Sequence, residues 1–352
     1  MPFPALSRRR PAVAGIGLNW RYRAIWLIRN ARFRRLSLGD RDDSSTPNEN
    51  KVRRILILVS LLVVCAGAVA DTRKGYDAYT SGNFKAAIEE FRKSAQQGDA
   101  LAMFYLGEGY FNGRGAVQDF AEGIKWYKQS AGKGQAEAQE TLGGLHFFGK
   151  GIAQDYAEAA NWYAMAAKQG KPYPQYLLGY MYDQGKGMAQ DPVQAAQWYR
   201  KAAEQNDARA QASLAFLYYS GKGVAQNESE AVKWFQKAAA QNEASAYPSL
   251  AWAYYQGKGV TQDFSEAAKW YSLAAEKGEA RVRSHLGWML WEGKGVAQDA
   301  VQAHMWSNLA ASQLSGEEGE RVAKVRDIIA SKLAPDQLAK AQELARNWTP
   351  KK

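Results

Sequence analysis

The stretch 99–134 reads DALAMFYLGEGYFNGRGAVQDFAEGIKWYKQSAGKG, and its pattern returns five more times at an interval of 36 residues. The interval shows in a tryptophan series and in a leucine series. The tryptophans are Trp126, Trp162, Trp198, Trp234, Trp270 and Trp306, and the leucines are Leu106, Leu142, Leu178, Leu214, Leu250 and Leu286. Six ungapped units therefore fill residues 99–314. A repeat of this length predicts a stacked array of helix pairs.

The first half of each unit is predicted to be a helix that ends at glycine. In the first unit, small and apolar residues follow at steps of about four, from Ala100 through Leu106 to Tyr110. A Gly-x-Gly pair then supplies the backbone freedom that a turn requires. These pairs begin at Gly113, Gly149, Gly185, Gly221, Gly257 and Gly293.

The second half is predicted to be a helix that starts at a capping box. Asp119 is followed three residues later by Glu122, and this spacing lets each side chain bond the other's backbone N–H. The buried stripe of this helix is predicted to include Trp126 and Tyr127. The box recurs as Asp155/Glu158, Asp191/Gln194, Asn227/Glu230, Asp263/Glu266 and Asp299/Gln302.

The A-x-A, L-G-x-x-Y, G-x-G-V-x-x-D and A-x-x-W-Y pattern of the units resembles the Sel1-like repeat, and residues 71–98 resemble a tetratricopeptide repeat. The resemblance implies an all-α, right-handed α-solenoid of helix–turn–helix repeats whose first helices line a concave, partner-binding surface. Residues 315–352 are predicted to cap the array with helices at 317–332 and 336–347. Pro248 is expected to shorten or kink the first helix of unit 5.

The N-terminal part predicts secretion. A basic stretch at 51–54, an apolar run to Val64 and a small-residue ending describe a signal peptide at 52–70, with cleavage after Ala70. A retained membrane anchor is the alternative, and the protein contacts a membrane only in that case. Residues 1–51 are interpreted as a non-native or disordered extension, with the true start at Val52. The expected location is periplasmic or secreted.

Composition and chemistry argue against several classes of function. Of the formal charge of +11, residues 1–54 carry +9, so the repeats have no basic patch for nucleic acid. Some secreted members of the family that these units resemble are associated with penicillin binding and β-lactam hydrolysis. In those members, a disulfide links the helix pair of each repeat. This chain has one cysteine, Cys65. Neither a metal site nor a cofactor nor a catalytic set is predicted, and His146 is interpreted as a packed side chain.

The columns that vary from unit to unit are predicted to bind the partner. Counted from Asp99, the tenth position faces about 200° away from the leucine at the eighth, and the thirteenth lies close to it. Aromatic residues dominate both in units 3–6, which predicts an aromatic ladder in a groove for a protein segment. The alternative is that these rings pack inside the array. The ladder residues are Tyr180, Phe216, Trp252 and Trp288, with Tyr219, Tyr255 and Trp291 beside them.

These observations predict a non-catalytic interaction scaffold or adaptor in the bacterial cell envelope, which holds a protein or peptide partner and needs no small-molecule cofactor. An envelope hydrolase or a cell-wall binding protein, recognising peptidoglycan or a β-lactam, is the alternative.

Overall fold

The protein is an array of helix pairs. A computed structural model describes residues 72–350. All the regular secondary structure within that range is helical. The predicted all-α solenoid of helix–turn–helix repeats is confirmed. The interpretations of residues 1–51 and 52–70 lie outside the described residues, and the division of the chain into domains stays a prediction.

The helices follow one another in pairs along the chain. Units 1 to 6 contain the pairs α3/α4, α5/α6, α7/α8, α9/α10, α11/α12 and α13/α14. The bounds are α1 72–80, α2 Phe84–Gln96, α3 Ala100–Asn112, α4 Phe120–Gly132, α5 Ala136–Phe148, α6 Tyr156–Lys168, α7 Pro172–Gln184, α8 Pro192–Glu204, α9 Ala208–Ser220, α10 Glu228–Ala240, α11 Tyr247–Gln256, α12 Phe264–Glu276, α13 Ala280–Glu292, α14 Ala300–Ala311, α15 Gly316–Ala330 and α16 Pro335–Asn347.

Each second helix starts where the capping pattern predicts. Asp119 Oδ1 accepts a hydrogen bond from the backbone N–H of Glu122 at 2.9 Å, and the bond recurs in the other five units. The second predicted bond of the capping box, from the backbone N–H of Asp119 to the side chain of Glu122, is wrong. The N–H of Asp119 donates to the carbonyl of Tyr110 at 2.9 Å, because the glycine turn folds the N-cap back onto the first helix. Glu122 instead forms an ion pair with Lys125.

In units 1 to 3, the two helices of a unit meet at a glycine and a tyrosine. Tyr127 is only 1% exposed, and its ring lies against Gly107, where a Cβ would come within 2.5 Å of it. The preceding residue, Trp126, is only half-buried and packs towards α2 and α3. The predicted burial of the tryptophan column holds for Trp234 and Trp306, and the other four tryptophans are half-buried. Tyrosine, one residue later, points most directly at the glycine.

Adjacent units are joined by buried side chains at the fifth position. In unit 2, Gln139 donates to the carbonyl of Ala131 in unit 1 at 3.1 Å and accepts from Gln169 at 2.8 Å. The same pair of bonds recurs at Gln175 and Gln211. Since a buried polar group without a partner is costly, these bonds fix how each unit stacks on the one before it.

The fifth unit departs from the pattern at Pro248. Residues Ala244–Ala246 form a 3-10 turn, and the first helix proper runs only over Tyr247–Gln256. The predicted shortening is therefore confirmed. Proline has no backbone N–H and fits only the first turn of an α-helix.

The C-terminal end of the array is closed by α15 and α16. The ring of Trp348, just beyond α16, lies 3.9 Å from the guanidinium carbon of Arg283 and 5.9 Å edge-on from the Trp306 ring. Within residues 72–350, none of the helices has both the length and the apolarity that crossing a membrane demands.

Candidate partner-binding surface

The tenth position lies between two buried positions on each first helix. Phe216 is 44% exposed between Ala215 and Leu217, which are both buried. Trp252 is 36% exposed between buried Ala251 and Ala253. The remaining members of this column are half-buried. They are Glu108, Gly144, Tyr180 and Trp288.

The thirteenth position divides into two groups. Phe111 and Phe147 in units 1 and 2 are buried core residues. Tyr219, Tyr255 and Trp291 in units 4–6 are half-buried. The thirteenth residues of units 1 and 2 therefore belong to the core, while the predicted rings of units 4–6 keep part of their surface in solvent.

The predicted ladder is continuous only in units 5 and 6. Trp252 stacks on Tyr255 with ring centroids 6.1 Å apart and planes 18° apart. Trp288 meets the same tyrosine edge-on at 6.2 Å. We call Trp252, Tyr255 and Trp288 the aromatic triad. It offers a continuous aromatic platform, and exposed rings of this kind are common binding anchors.

The other predicted rings lie apart from the triad. Tyr180 contacts Phe147 of the preceding unit at 6.3 Å, and Phe216 contacts Phe235 of its own second helix at 4.9 Å. Among the described residues, no ring contact joins Tyr180 to Phe216 or Phe216 to Trp252. The surface therefore consists of one triad and separate single rings.

A row of lysines beside these rings was not predicted, because the Gly-x-Gly pairs that flank them were interpreted only as turns. Lys294 Nζ lies 4.3–5.1 Å from the ring centroids of Tyr255, Phe264 and Trp288. It also donates to the Tyr255 hydroxyl at 3.2 Å. The signal was available, because a basic residue separates the two glycines in all six units.

His285 also lies next to the triad. Its ring stacks on Tyr271 at 5.5 Å and meets Trp252 edge-on at 6.1 Å. Its counterparts in the other five units are not histidines.

The first helices of units 2–4 carry a polar group away from the triad. Burial raises the pKa of Glu140 to about 7, with Lys171 opposing the shift. Arg209 lies over the rings of Tyr173 and Tyr176 at 4.6 and 5.0 Å and pairs with Asp207. This part of the array is charged, whereas the triad in units 5 and 6 is aromatic.

The three histidines do not come together. His146 and His304 are buried, whereas His285 is exposed. Residues 72–350 contain no cluster of three or more histidine, cysteine, aspartate or glutamate side chains that could hold a metal ion.

The comparisons with known proteins now identify the repeat. The family profile "Sel1 repeat" matches 100–135, 136–171, 175–207, 208–243, 245–279 and 284–313, which is more than half of the chain. The chain is a Sel1 repeat protein. No curated protein is similar to it in sequence at a significant level.

Solved structures of other Sel1 repeat proteins are similar to this one. A Sel1 repeat protein from Oxalobacter formigenes is 27% identical, with a TM-score of 0.59 over 70% of this chain and 98% of that one. The antigen c5321 from uropathogenic Escherichia coli, described as displaying an SLR fold, is 27% identical over 80% of this chain and 84% of that one, with a TM-score of 0.43.

Helicobacter pylori cysteine rich protein B is 28% identical over 35% of this chain and 93% of that one, with a TM-score of 0.29.

Sel1 repeat proteins are generally protein-interaction scaffolds without catalytic activity.

Proposed function

We propose that this Sel1 repeat protein is a non-catalytic scaffold of the bacterial cell envelope that holds an extended segment or a helix of a partner protein. The partner lies on the first helices of units 3–6, against the rings at the tenth and thirteenth positions. The aromatic triad is the main anchor.

The exposure of Trp252 carries the proposal. Its stacking on Tyr255 fixes the ring without hiding it. A ring that is held in place loses little conformational freedom when a partner binds, so most of its contact energy contributes to affinity. Trp288 extends the platform on the other side of Tyr255.

The proposed location rests on the basic, apolar and small-residue pattern at 51–70. Cleavage after Ala70 gives a mature chain that begins at Asp71, just before the first helix pair. Mass spectrometry of the mature protein tests this. Retention of 52–70 would make it a membrane-tethered scaffold, and peptides from 1–50 would contradict a start at Val52.

The binding proposal is tested with the double variant Trp252→Ala/Trp288→Ala in an affinity capture from the envelope fraction. The expected result is loss of the captured partner, because truncation of central aromatic anchors costs more than about 2 kcal/mol in binding. Circular dichroism shows whether the variant stays folded.

The matched control is Val193→Ala/Leu273→Ala. Both residues are exposed apolar side chains, 52% and 37% exposed, but they lie on the second helices α8 and α12. Capture should be unchanged in this control. A folded Trp252→Ala/Trp288→Ala variant that captures its partner as well as the control does would contradict the proposal.

A further inference from the structure

The row of basic residues between the glycines follows one rule. Each lysine reaches back to the thirteenth residue of the preceding unit. Lys150 lies over Phe111 at 5.5 Å, and Lys258 lies over Tyr219 at 5.9 Å. Lys186 and Lys294 take the same place over Phe147 and Tyr255. An ammonium over a ring face is stabilised by the ring's quadrupole.

Unit 4 shows that a lysine of this row can also bind a carboxylate at the thirteenth position of the preceding unit. The thirteenth residue of unit 3 is Asp183, and Lys222 forms an ion pair with it at 2.8 Å. The spacing is the same, since Lys222 is 39 residues after its partner, as Lys294 is after Tyr255. The array thus contains an internal example of a carboxylate bound by a lysine of this row.

No ion pair of Lys294 is found among the described residues, whereas Lys258 pairs with Glu228 at 3.8 Å. The Lys294 ammonium has three donors, and the Tyr255 hydroxyl accepts one hydrogen bond. The side chain is half-buried among rings, so its charge is less screened than that of a fully exposed lysine.

We infer that the partner segment carries a carboxylate next to a large apolar side chain. Lys294 binds the carboxylate, and the exposed Trp252 with Trp288 binds the apolar group. The pairing is one of charge complementarity, because a half-buried cation that has no ion pair within residues 72–350 lies at the edge of an apolar platform. This inference rests on the proposed function and adds the chemistry of the partner to it.

The test uses three fluorescein-labelled nonapeptides with amidated C-termini, which alternate leucine with glutamate, glutamine or lysine. Their binding to the full repeat array is measured by fluorescence polarisation. The glutamate peptide should bind about tenfold more tightly than the glutamine peptide, because a hydrogen bond to a charged group adds roughly that factor. The lysine peptide should bind most weakly.

Two variants separate the lysine from its neighbours. Lys294→Met keeps the apolar stem and should remove the preference for glutamate over glutamine. Lys258→Met is the matched control from the same position of unit 5, and it should keep the preference. Salt should reduce the glutamate preference of the wild type and leave Lys294→Met unchanged.

Equal binding of the glutamate and glutamine peptides overturns the inference, as does an undiminished preference in Lys294→Met or tightest binding of the lysine peptide. None of these outcomes contradicts the proposed function, which needs only the rings. Failure of all three peptides to bind at millimolar concentration overturns the inference too. The proposed function is then judged by the capture experiment with Trp252→Ala/Trp288→Ala.

Discussion

Units 4 and 6 have the same plan and place different residues at the same buried fifth position. In unit 4, Gln211 donates to Ala203 of unit 3 and accepts from Gln241. In unit 6, Arg283 donates to Ala275 of unit 5 at 3.2 Å and to Gln313 at 3.0 Å. Each side chain makes two bonds to equivalent positions, but the side chain is a neutral amide in unit 4 and a cation in unit 6.

The neighbours of the two units account for the difference. Beyond unit 4 lies another repeat, and Gln211 bonds to Gln241 of its own unit. Beyond unit 6 lies the C-terminal cap, and Trp348 covers the guanidinium of Arg283. Arg283 is fully buried, and burial lowers its pKa. The cation is tolerated because a ring face at the end of the array compensates it.

Exchanging the two residues gives the largest expected effect. Gln211→Arg buries a charge without the Trp348 ring that lies over Arg283, and it should destabilise the array by about 3–5 kcal/mol. Arg283→Gln restores the neutral arrangement and should cost about 1 kcal/mol or less. Urea unfolding followed by circular dichroism measures both. Equal losses in the two variants would show that the ring over Arg283 is unimportant.

The next largest loss of stability is expected at a glycine that units 4 and 6 share. Gly295 has φ +74°, and a Cβ there would lie 2.2 Å from the backbone carbonyl of Phe264. Gly223 in unit 4 meets Pro192 at the same distance. Gly295→Ala and Gly223→Ala should each cost roughly 2–5 kcal/mol, from backbone strain and overpacking together.

The other glycine of the same turn is the control for that effect. Gly293 has φ +67°, but its Cβ would find no atom closer than 3.4 Å. Gly293→Ala should therefore show only the strain of a left-handed alanine, about 1–2 kcal/mol. Thermal unfolding of the two variants side by side measures the difference. An equal loss would mean that close approach to the preceding unit is not what requires glycine.

Removing the ring over Arg283 should have a smaller effect. Trp348→Ala loses its contacts with Arg283 and with Trp306, and should cost about 2 kcal/mol. The loss should shrink by roughly 0.5–1 kcal/mol in an Arg283→Gln background, since the cation is then absent. A double-mutant cycle in urea measures this coupling, and a coupling of zero would remove Trp348 from the explanation.

The smallest expected effect is a difference between units 4 and 6 in how their contribution to stability depends on pH. His304 of unit 6 is buried where unit 4 has Val232. Burial, and then Arg326, lower the pKa of His304 below 6.5. Its neutral form is therefore favoured in the folded state, and the stability it contributes is present above pH 6.5 and lost as the pH falls towards the lowered value.

The variant His304→Val should accordingly lose less thermal stability than the wild type between pH 7.5 and pH 5. Differential scanning fluorimetry measures the midpoints. Exposed His285→Gln is the control and should behave as the wild type does. A wild-type midpoint no more sensitive to acid than that of His304→Val would contradict the prediction.

The sequence predicted the repetitive features well because each follows from local rules. The second-helix starts, the glycine turns and the effect of Pro248 depend on residues a few positions apart. The half-burial of Trp126 was missed, because periodicity cannot choose between adjacent residues that both point inward. Only the position of Gly107 on the other helix shows that Tyr127 takes the core place.

The candidate surface was predicted only in part, because it depends on contacts between units. Variation from unit to unit pointed to Trp252, Tyr255 and Trp288, but it could not show that these rings touch one another while Tyr180 and Phe216 lie apart. Lys294 escaped because its partner is 39 residues earlier in the chain. A motif that a turn already explains gives no reason to search for such a contact.

The reach of the side chains that join the units has a mechanical consequence. The bonds between Gln169 and Gly134, Lys222 and Asp183, and Lys294 and Tyr255 span 35, 39 and 39 residues. Contact order therefore does not grow as units are added, and folding can begin at any unit and spread to its neighbours. Pulled from its two ends, the array should lengthen in steps of one unit. A segment bound to units 5 and 6, as proposed, would then stay bound if units 1 and 2 opened first.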